Sequence, residues 1–573
     1  MTPIIKAYKE EFLYFFKDKV FILLMILSAI AAYGYQLTHS SLGVDDICIN
    51  YYFSEGLGLV VGRWPFFVLT KWFGLDGLTK FIPFFTDYIA VILLLVGAVT
   101  WLVFIKVSAK ESGIVLRKLD YIIFGCLFTT FSLIAQVWIY YLHNGIAIGY
   151  LLIGLSLLIL EGDFSNNYDY KHLFNNIVRA ALLVCIASGF YESMMVVFLF
   201  GVGLYLLIYY YKKTNVNFKH ICYVISKSVI VLGVAFVFRY ITIQALTVAY
   251  GFTTCVRQPS LIAVTYFLKN IGTIISGTIC DYLLLPEYQP IRLFMICSLF
   301  GMFFLIVDAI KKRRIRLIII AMIVFLSMFS ITPFMHEVIP YKTVQNSSVW
   351  QAFDNHTPMV LPYRTMQVLS IYVAFIMMVF VHKYCHNIDC SKKYKVIRLI
   401  PYMIISLLLW NNYCEINYDF YMEYENNQYS MRKIDGIGHE LERMGYDENN
   451  EIVLFVCKEK DKLPYPTTQD MITDGGIWDS VRNRVCKLFY AKNHVKNAIY
   501  YQVLTDDVAE WAVTSFGSQY QMKNLLQRRG YFINLYEGNV EAIVTDEDID
   551  NMAVYPEDGF IKKVGNVLVV KVK

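Results

Sequence analysis

The chain has 573 residues, of which 57% are hydrophobic, 16% aromatic and only 17% charged, with a mean hydropathy of +0.48. Soluble domains carry about 25% charged residues. The charges are unevenly divided, because residues 415–573 contain 18 Lys and Arg against 26 Asp and Glu, while the remainder is basic. These figures exclude a single soluble globular protein, a disordered chain and a fibrous one. They predict a polytopic α-helical membrane protein with an acidic soluble C-terminal domain.

Apolar runs long enough to cross a bilayer recur along residues 1–414. A spanning helix needs about 20 mostly apolar residues, and the pattern predicts about 11 such helices, with an error of one or two. The runs begin close to Val20, Phe84, Tyr121, Gly145, Asn176, Ser193, Cys222, Pro290, Arg316, Tyr363 and Val396. The first run has no small-residue cleavage site after it, so we interpret it as a retained span rather than a signal peptide.

Lysine and arginine are distributed asymmetrically among the connections between these runs. Alternate connections hold 23 Lys and Arg in one set and 6 in the other, although the second set is longer. Because cytoplasmic loops carry the excess of Lys and Arg, we predict a cytoplasmic-membrane protein with its N-terminus inside and residues 415–573 outside. The outer connections 37–83, 247–289 and 335–363 are long and aromatic, which indicates a working site on the outer face. The short basic loops do not form a nucleic-acid footprint.

Residues 415–573 have a mixed helix and strand pattern. Helices are predicted over 422–445 and near 475–492 and 506–529, and strands over 451–458, 531–536 and 538–545. The last residues, 561–573, alternate as a hairpin that turns at Gly565-Asn566. The pattern predicts an α/β or α+β extracytoplasmic domain that follows the transmembrane module of residues 1–414.

Two adjacent carboxylates, Asp45 and Asp46, follow the first predicted span within ten residues of its outer end. They precede a mixed apolar stretch that could lie along the membrane surface as a helix, and one of them could cap it. Two neighbouring carboxylates also raise the proton affinity of one member of the pair, which makes that group a usable base. The pair alone favours the helix cap over the catalytic base.

Gly62-Arg63-Trp64-Pro65 stands later in the same loop. The guanidinium group of Arg63 carries a fork of donors that suits a phosphate group. The alternative is an interfacial anchor, in which Trp64 lies at headgroup level and Arg63 extends its charge to water. The motif alone leaves both interpretations open.

Residues 43–66, GVDDICINYYFSEGLGLVVGRWPF, resemble the first outer loop of the bacterial Gtr-type glucosyltransferases. The long first outer loop, the inner N-terminus, the span count and the outer tail are similar to those of the wider GT-C glycosyltransferase superfamily. The resemblance implies transfer of a sugar, with glucose favoured, from a polyprenyl-phosphate donor. The implied acceptor is a cell-envelope glycan or lipid on the outer face, and the implied reaction is direct displacement with inversion.

The resemblance also implies roles for individual residues. One of Asp45 and Asp46 would deprotonate the acceptor hydroxyl, and the other would orient the acceptor or donor. The leaving group is a phosphate on a lipid, so a positive clamp is needed at headgroup depth. Arg63 is the first choice for this clamp.

Three ionisable residues near or within the spans are further candidates. Glu192 lies in a tight outer turn between two spans, and Asp87 lies at the outer start of the second span. An ionisable residue in such a place is a candidate for the site, and a carboxylate at a helix start is the alternative for both. Arg239 lies deep in an apolar run and is costly unless paired, but the sequence does not name its partner.

The later outer loops supply few cations. Arg257, Lys342 and Arg364 are candidates to complete the clamp on the donor phosphate, although Arg364 directly precedes a span and extension to water is its stronger interpretation. Trp64 is also a candidate site residue. His336 is another, and it could assist a proton transfer, although a structural role is more common for a residue at a loop edge.

No cofactor is expected. A Mg²⁺ or Mn²⁺ ion at Asp45 and Asp46 is disfavoured, because no third carboxylate is spaced to join them. An acidic run, comprising Asp546, Glu547, Asp548 and Asp550, is typical of a solvated helix start, with a calcium site as the alternative.

Three other functions stay open. The first is an envelope polysaccharide polymerase or ligase that uses a diphosphate-linked donor, and the second is a lipid-linked-sugar transporter or flippase. The third is an assembly or receptor protein whose C-terminal domain binds a partner. Transporters often show internal repeats and charged residues at mid-membrane. This chain shows no repeat and its charges cluster towards one face, which favours the transferase. The sequence does not predict the acceptor, the role of the C-terminal domain or the oligomeric state.

Overall fold

The computed structural model describes residues 3–39, 41, 59, 62–75, 82, 84–135, 138, 143–165, 170–213, 217–252, 298–303, 306–307, 309–311, 315–327, 366–386, 399–456, 520–538 and 540–572. The chain forms two compact units. In the described residues, the first unit extends to Tyr418, and the second comprises Asp419 onward together with His39 and residue 41. The boundary between Tyr418 and Asp419 lies inside one continuous helix.

The described part of the first unit is helical. Its helices are α1 (Pro3–Lys17), α2 (Lys19–Tyr33), α3 (Trp64–Phe73), α4 (Phe85–Glu111), α5 (Lys118–Thr129), α6 (Ser132–Ala135), α7 (His143–Ser165), α8 (Tyr170–Phe190), α9 (Met194–Tyr211), α10 (Phe218–Tyr250), α11 (Ile315–Ser327), α12 (Val368–His386) and the first part of α13 (Ile400–Arg443). The break between α1 and α2 falls at Asp18, whose carboxylate accepts hydrogen bonds from the backbone N–H groups of Val20 and Phe21. Such a cap satisfies donors that a helix start leaves without partners.

Five of the described helices are long and apolar enough to span a membrane: α4, α7, α8, α9 and α10. They coincide with the runs predicted near Phe84, Gly145, Asn176, Ser193 and Cys222, so these predictions are confirmed. Helices α2 and α12 are apolar but shorter. The run predicted near Pro290 lies largely outside the described residues, and the total number of spans stays a prediction.

The run predicted from Tyr121 forms a shorter helix than expected. Helix α5 ends at Thr129, and α6 follows as a separate short segment. The carbonyl oxygens at this helix end are satisfied by other helices, because the Tyr33 hydroxyl donates to Thr129 O at 2.8 Å and the Asn412 amide donates to Thr130 O. Hydrogen bonds from α2 and α13 therefore replace the next helical turn of α5.

Glycines allow the membrane-length helices to approach closely. A Cβ atom added at Gly154 of α7 would lie 2.8 Å from Cγ2 of Thr100 in α4, and one added at Gly201 of α9 would overlap Leu157 of α7. In a bilayer, small residues promote such packing because apolar side chains gain little by leaving lipid. The resulting core fixes the helix ends from which the site is built.

The second unit contains a three-stranded sheet in the order β1-β3-β2. Strand β1 (Ile452–Val456) pairs in parallel with β3 (Val567–Lys571), and β2 (Ile561–Val564) pairs antiparallel with β3. The strand predicted over 451–458 and the hairpin that turns at Gly565-Asn566 are therefore confirmed. One face of the sheet packs on α13 and on α14 (Tyr520–Arg528), with buried side chains from Ile434, Ile437, Phe455, Leu526 and Val570.

Three other predictions in this unit have different outcomes. The strand predicted over 538–545 is wrong, because Val540–Ala542 forms a 3-10 turn. The acidic run starts helix α15 (Asp546–Asn551), in which Thr545 and Asp548 cap each other's backbone N–H groups. The helix predicted near 475–492 lies outside the described residues. The 3-10 turn at Val540–Ala542 interrupts the extended pattern, and the capping motif at Thr545 then starts α15.

Candidate active site

Only some of the predicted site residues lie in the described part of the chain. Arg63, Trp64, Asp87, Glu192 and Arg239 are described. The remaining candidates fall outside the described residues: Asp45, Asp46, Arg257, His336, Lys342 and Arg364. The geometry therefore concerns these five described residues and not the acidic pair.

The Arg63 segment (residues 62–66) packs along the α8–α9 turn (residues 189–193). The Arg63 guanidinium lies 5.6 Å from the centre of the Tyr191 ring, and the ring of Phe66 meets that of Phe190 edge to face, 4.9 Å apart. Trp64 lies against Gly189, where an added Cβ atom would come within 2.5 Å of the indole nitrogen. The two segments therefore pack against each other, with Arg63, Trp64 and Phe66 in contact with residues 189–191.

An ion pair between the buried Arg239 guanidinium and the half-buried Glu192 carboxylate joins the two segments at Gly62. Nη2 of Arg239 donates to Glu192 Oε1 at 2.8 Å and to Gly62 O at 3.5 Å. Arg239 is 6% exposed although it lies inside the membrane-length helix α10. A charged side chain in such a helix is costly unless it is paired. Glu192 is therefore the partner of Arg239, which could not be identified from the sequence.

Gly62 meets two separate demands at this junction. Its φ of +81° lies in the left-handed region that other residues rarely adopt. A Cβ atom there would also lie 3.1 Å from Nη2 of Arg239. Glycine at this position lets the backbone turn into α3 and lets the guanidinium approach the carbonyl group.

Asp87 belongs to a second buried cluster. Its Oδ1 accepts a hydrogen bond of 2.9 Å from the indole N–H of Trp138 and lies 3.4 Å from Nε2 of His143. The Trp138 ring stacks between the rings of Tyr33 and His143, at 4.8 and 4.9 Å. Asp87 and His143 are 4% and 3% exposed. The cluster therefore joins α2, α4 and α7 where the predicted outer loops begin and end.

A family model described as glucosyl transferase GtrII matches residues 34–354, which is more than half of the chain. The chain belongs to the GtrII glucosyl transferase family. The comparison with curated proteins finds no match, and neither does the comparison with solved structures. The resemblance of residues 43–66 to the Gtr-type enzymes is confirmed, and the protein is a membrane glucosyltransferase.

The matched range of this glucosyltransferase contains the acidic pair, the Glu192–Arg239 pair and, apart from Tyr33, the Asp87 cluster. Within the described residues, the structure brings together Arg63, Trp64, Glu192 and Arg239, and it places Asp87 in the other cluster. Among the described residues, the buried indole N–H of Trp64 finds no hydrogen-bond partner. Buried donors are normally satisfied in proteins, so Trp64 stays a candidate donor.

Trp138 and His143 are two members of the second cluster that sequence reasoning missed. His143 stands with Asn144 at the start of an apolar run, in a turn that carries no Lys or Arg. A polar pair in such a turn is a signal of the kind that drew attention to Glu192. No pattern in the sequence pairs Asp87 with Trp138, because 51 positions separate them.

Proposed function

We propose that this glucosyltransferase moves glucose from a polyprenyl-phosphate donor to a glycan or lipid of the cell envelope. The proposed location is the outer face of the cytoplasmic membrane, with the N-terminus inside and the C-terminal unit outside. The observation that carries the proposal is the packed Arg63 segment, which lies in the family-matched range and closes the loop that bears Asp45 and Asp46.

The proposed reaction is a direct displacement at the anomeric carbon. One of Asp45 and Asp46 takes the proton of the acceptor hydroxyl, whose oxygen then forms a bond to the anomeric carbon. The bond from that carbon to the phosphate oxygen breaks, and its electron pair leaves with the polyprenyl phosphate. Attack from the opposite side inverts the configuration. The other carboxylate orients the acceptor or donor, and no metal step is needed.

Arg63 is the proposed clamp for the phosphate that leaves. The guanidinium group offers two donors in one plane, which suits two phosphate oxygens. Arg63 is half-buried, and a positive charge stabilises developing negative charge more strongly where water is excluded. The neighbouring Trp64 N–H can donate to the same phosphate or to the sugar. Arg257, Lys342 and Arg364 are the proposed additional cations.

Separate Asp45→Asn and Asp46→Asn variants test the mechanism. We expect the variant that lacks the base to lose about 10²–10⁴-fold in kcat, because Asn cannot accept the proton. The measurement is glucose transfer by membranes supplied with polyprenyl-phosphoglucose.

Asp18→Asn is the matched control, since Asp18 caps α2 at its other end. Full transfer by both loop variants would refute the acidic-pair mechanism. Wild-type membranes that transfer no glucose from this donor would refute the proposed donor class.

A further inference from the structure

The loop that carries the acidic pair connects α2 to α3, and its ends lie beside the buried carboxylate of Asp87 and the half-buried carboxylate of Glu192. We refer to residues 34–63 as the acidic loop. Tyr33, the last residue of α2, belongs to the Asp87 cluster, and Gly62, next to the start of α3, belongs to the Glu192–Arg239 pair. We propose that Asp87 and Glu192 are positioning residues for the two described ends of this loop: Asp87 holds the end at Tyr33, and Glu192 holds the end at Gly62 and thereby positions Arg63.

This inference rests on the proposed function, because it assigns two residues to the orientation of that site. It differs from the sequence-based interpretation, in which Asp87 and Glu192 were site residues or helix starts. In the described structure each carboxylate acts on the loop through another side chain: Glu192 through Arg239, and Asp87 through Trp138.

At the second end of the loop, Glu192 holds Arg239 in place. Without Glu192 the guanidinium would be an uncompensated charge inside an apolar helix, and it would turn towards water. The carbonyl group of Gly62 would then lose its hydrogen bond from Nη2. Because Arg63 follows Gly62 directly, a displacement there moves the proposed phosphate clamp.

At the first end of the loop, Asp87 holds Trp138. Its carboxylate accepts from the indole N–H at 2.9 Å, and the two faces of the indole are covered by Tyr33 and His143. The Tyr33 hydroxyl in turn donates to Thr129 O of α5. Three helices thus fix the point at which the chain leaves α2 towards Asp45.

A positioning role has a kinetic signature that differs from that of a catalytic base. Loss of orientation lowers kcat and leaves the pH dependence unchanged, because the titrating groups are the same. Displacement of a reacting group by about 1 Å can cost about 10²-fold. The loss of a catalytic base changes the pH dependence as well.

The positioning role of Glu192 is tested by Glu192→Ala, Glu192→Gln and the double variant Glu192→Arg/Arg239→Glu. We expect Glu192→Ala to lower kcat about 10²-fold with an unchanged pH profile. Glu192→Gln retains an acceptor for Arg239 and should lose less. The double variant restores an ion pair in the reverse sense and should regain most of the lost kcat.

A matched control for the ion pair is Glu11→Ala. Glu11 pairs with Lys106 at 2.6 Å near the opposite end of α4, and neither residue contacts the acidic loop in the described structure. This variant should retain the wild-type kcat. A double variant that inserts into the membrane but regains no activity would overturn the proposed role of the pair.

Trypsin gives a readout that does not depend on activity. The bond after Arg63 should resist cleavage in the wild type, because the Arg63 segment is packed on the α8–α9 turn. In Glu192→Ala we expect cleavage there, detected by mass spectrometry of the new fragment that begins at Trp64, and the double variant should regain protection. Unchanged protection in Glu192→Ala overturns the proposal, whatever the transfer assay shows. A wild type that is protected but inactive would instead refute the proposed function alone.

The positioning role of Asp87 is tested by Asp87→Ala, Trp138→Phe and the double variant that combines them. Both single changes remove the same hydrogen bond, and Phe keeps an aromatic ring between Tyr33 and His143. The double variant should therefore lose no more kcat than the more impaired single variant. Asp87→Asn, which keeps an acceptor for the indole, should recover most of the loss. Additive losses, or a pH profile altered in Asp87→Asn, would overturn the positioning role.

Discussion

Gly62 is constrained both by its own backbone conformation and by a neighbouring side chain. Its φ of +81° is unfavourable for a residue with a side chain, and Nη2 of Arg239 lies where a larger residue would place its Cβ atom. These two requirements are independent, since one concerns the backbone and the other concerns a neighbour. The two requirements can be separated by comparison with a glycine that has the left-handed backbone conformation but no close neighbour.

Gly74 is that glycine, with φ of +63° and no atom within 4 Å of an added Cβ. We expect Gly74→Ala to cost about 1–2 kcal/mol of stability, the penalty of the left-handed conformation alone. Gly62→Ala should cost more and should also lower kcat, because Arg239 must move. Thermal unfolding in detergent and the transfer assay measure the two effects. Equal costs for the two variants would show that the approach of Arg239 imposes no constraint.

Among the elements, the strands of the second unit depend on charged side chains at their edges. The Lys563 ammonium of β2 donates to Glu451, just before β1, and the backbone N–H of Asp447 donates to the same carboxylate. The ammonium first and the N–H second hold the pKa of Glu451 below its ordinary value of 4.5. The folded state therefore binds a proton to Glu451 less readily than the unfolded chain does.

This lowered pKa predicts how the stability of the sheet depends on pH. The contribution of Glu451 is fully present above pH 4.5 and is lost as the pH falls through the lower pKa of the folded state. We expect the wild type to lose more protection in that acid range than Glu451→Gln does. Hydrogen exchange of the β3 amides in the full-length protein measures this loss of protection. Glu448→Gln is the control, because Glu448 is exposed. A parallel acid response in wild type and Glu451→Gln would contradict the prediction.

The elements also show what could be predicted from the sequence. Helices α4 and α7–α10 were predictable because an apolar run of membrane length has few alternatives. Strand β1 and the β2–β3 hairpin were predictable for a similar local reason, since alternation and a Gly-Asn turn are local signals. The end of α5 was not predictable, because it depends on hydrogen bonds from Tyr33 and Asn412, which are distant in the sequence.

The candidate site also contains some features that could be predicted from the sequence and others that could not. Arg63 and Glu192 could be proposed from their places beside predicted spans, because ionisable residues are rare there. Their connection could not be predicted, since it passes through Arg239, 47 positions beyond Glu192. Asp87 was correctly placed at a span start, but its partners Trp138 and His143 became evident only when the helices were packed.

At the scale of the whole molecule, the distribution of Lys and Arg between alternate connections predicts the orientation in the membrane, with 23 in one set and 6 in the other. Helix α13 is continuous from Ile400 to Arg443 and leads from the first unit into the second. The positive-inside rule predicts that residues 415–573 lie outside.

Reporter fusions test this orientation. An alkaline phosphatase fused after Lys573 should be active, because that enzyme works only outside the cytoplasm, and the positive-inside rule places this end outside. A fusion after Lys213, between α9 and α10, should be inactive and serves as the control. The reverse pattern would invert the proposed topology and place the acidic loop on the cytoplasmic side.

The contact between Gly62 and Arg239 also has a consequence for how the sequence changes during evolution. The two residues stand 177 positions apart in the chain, so no single local mutation can change both. A side chain acquired at position 62 requires the Arg239 guanidinium to move by a few tenths of an ångström, and this guanidinium also donates to Glu192. We therefore expect these three positions to change together across the lineages of the family or to stay unchanged together.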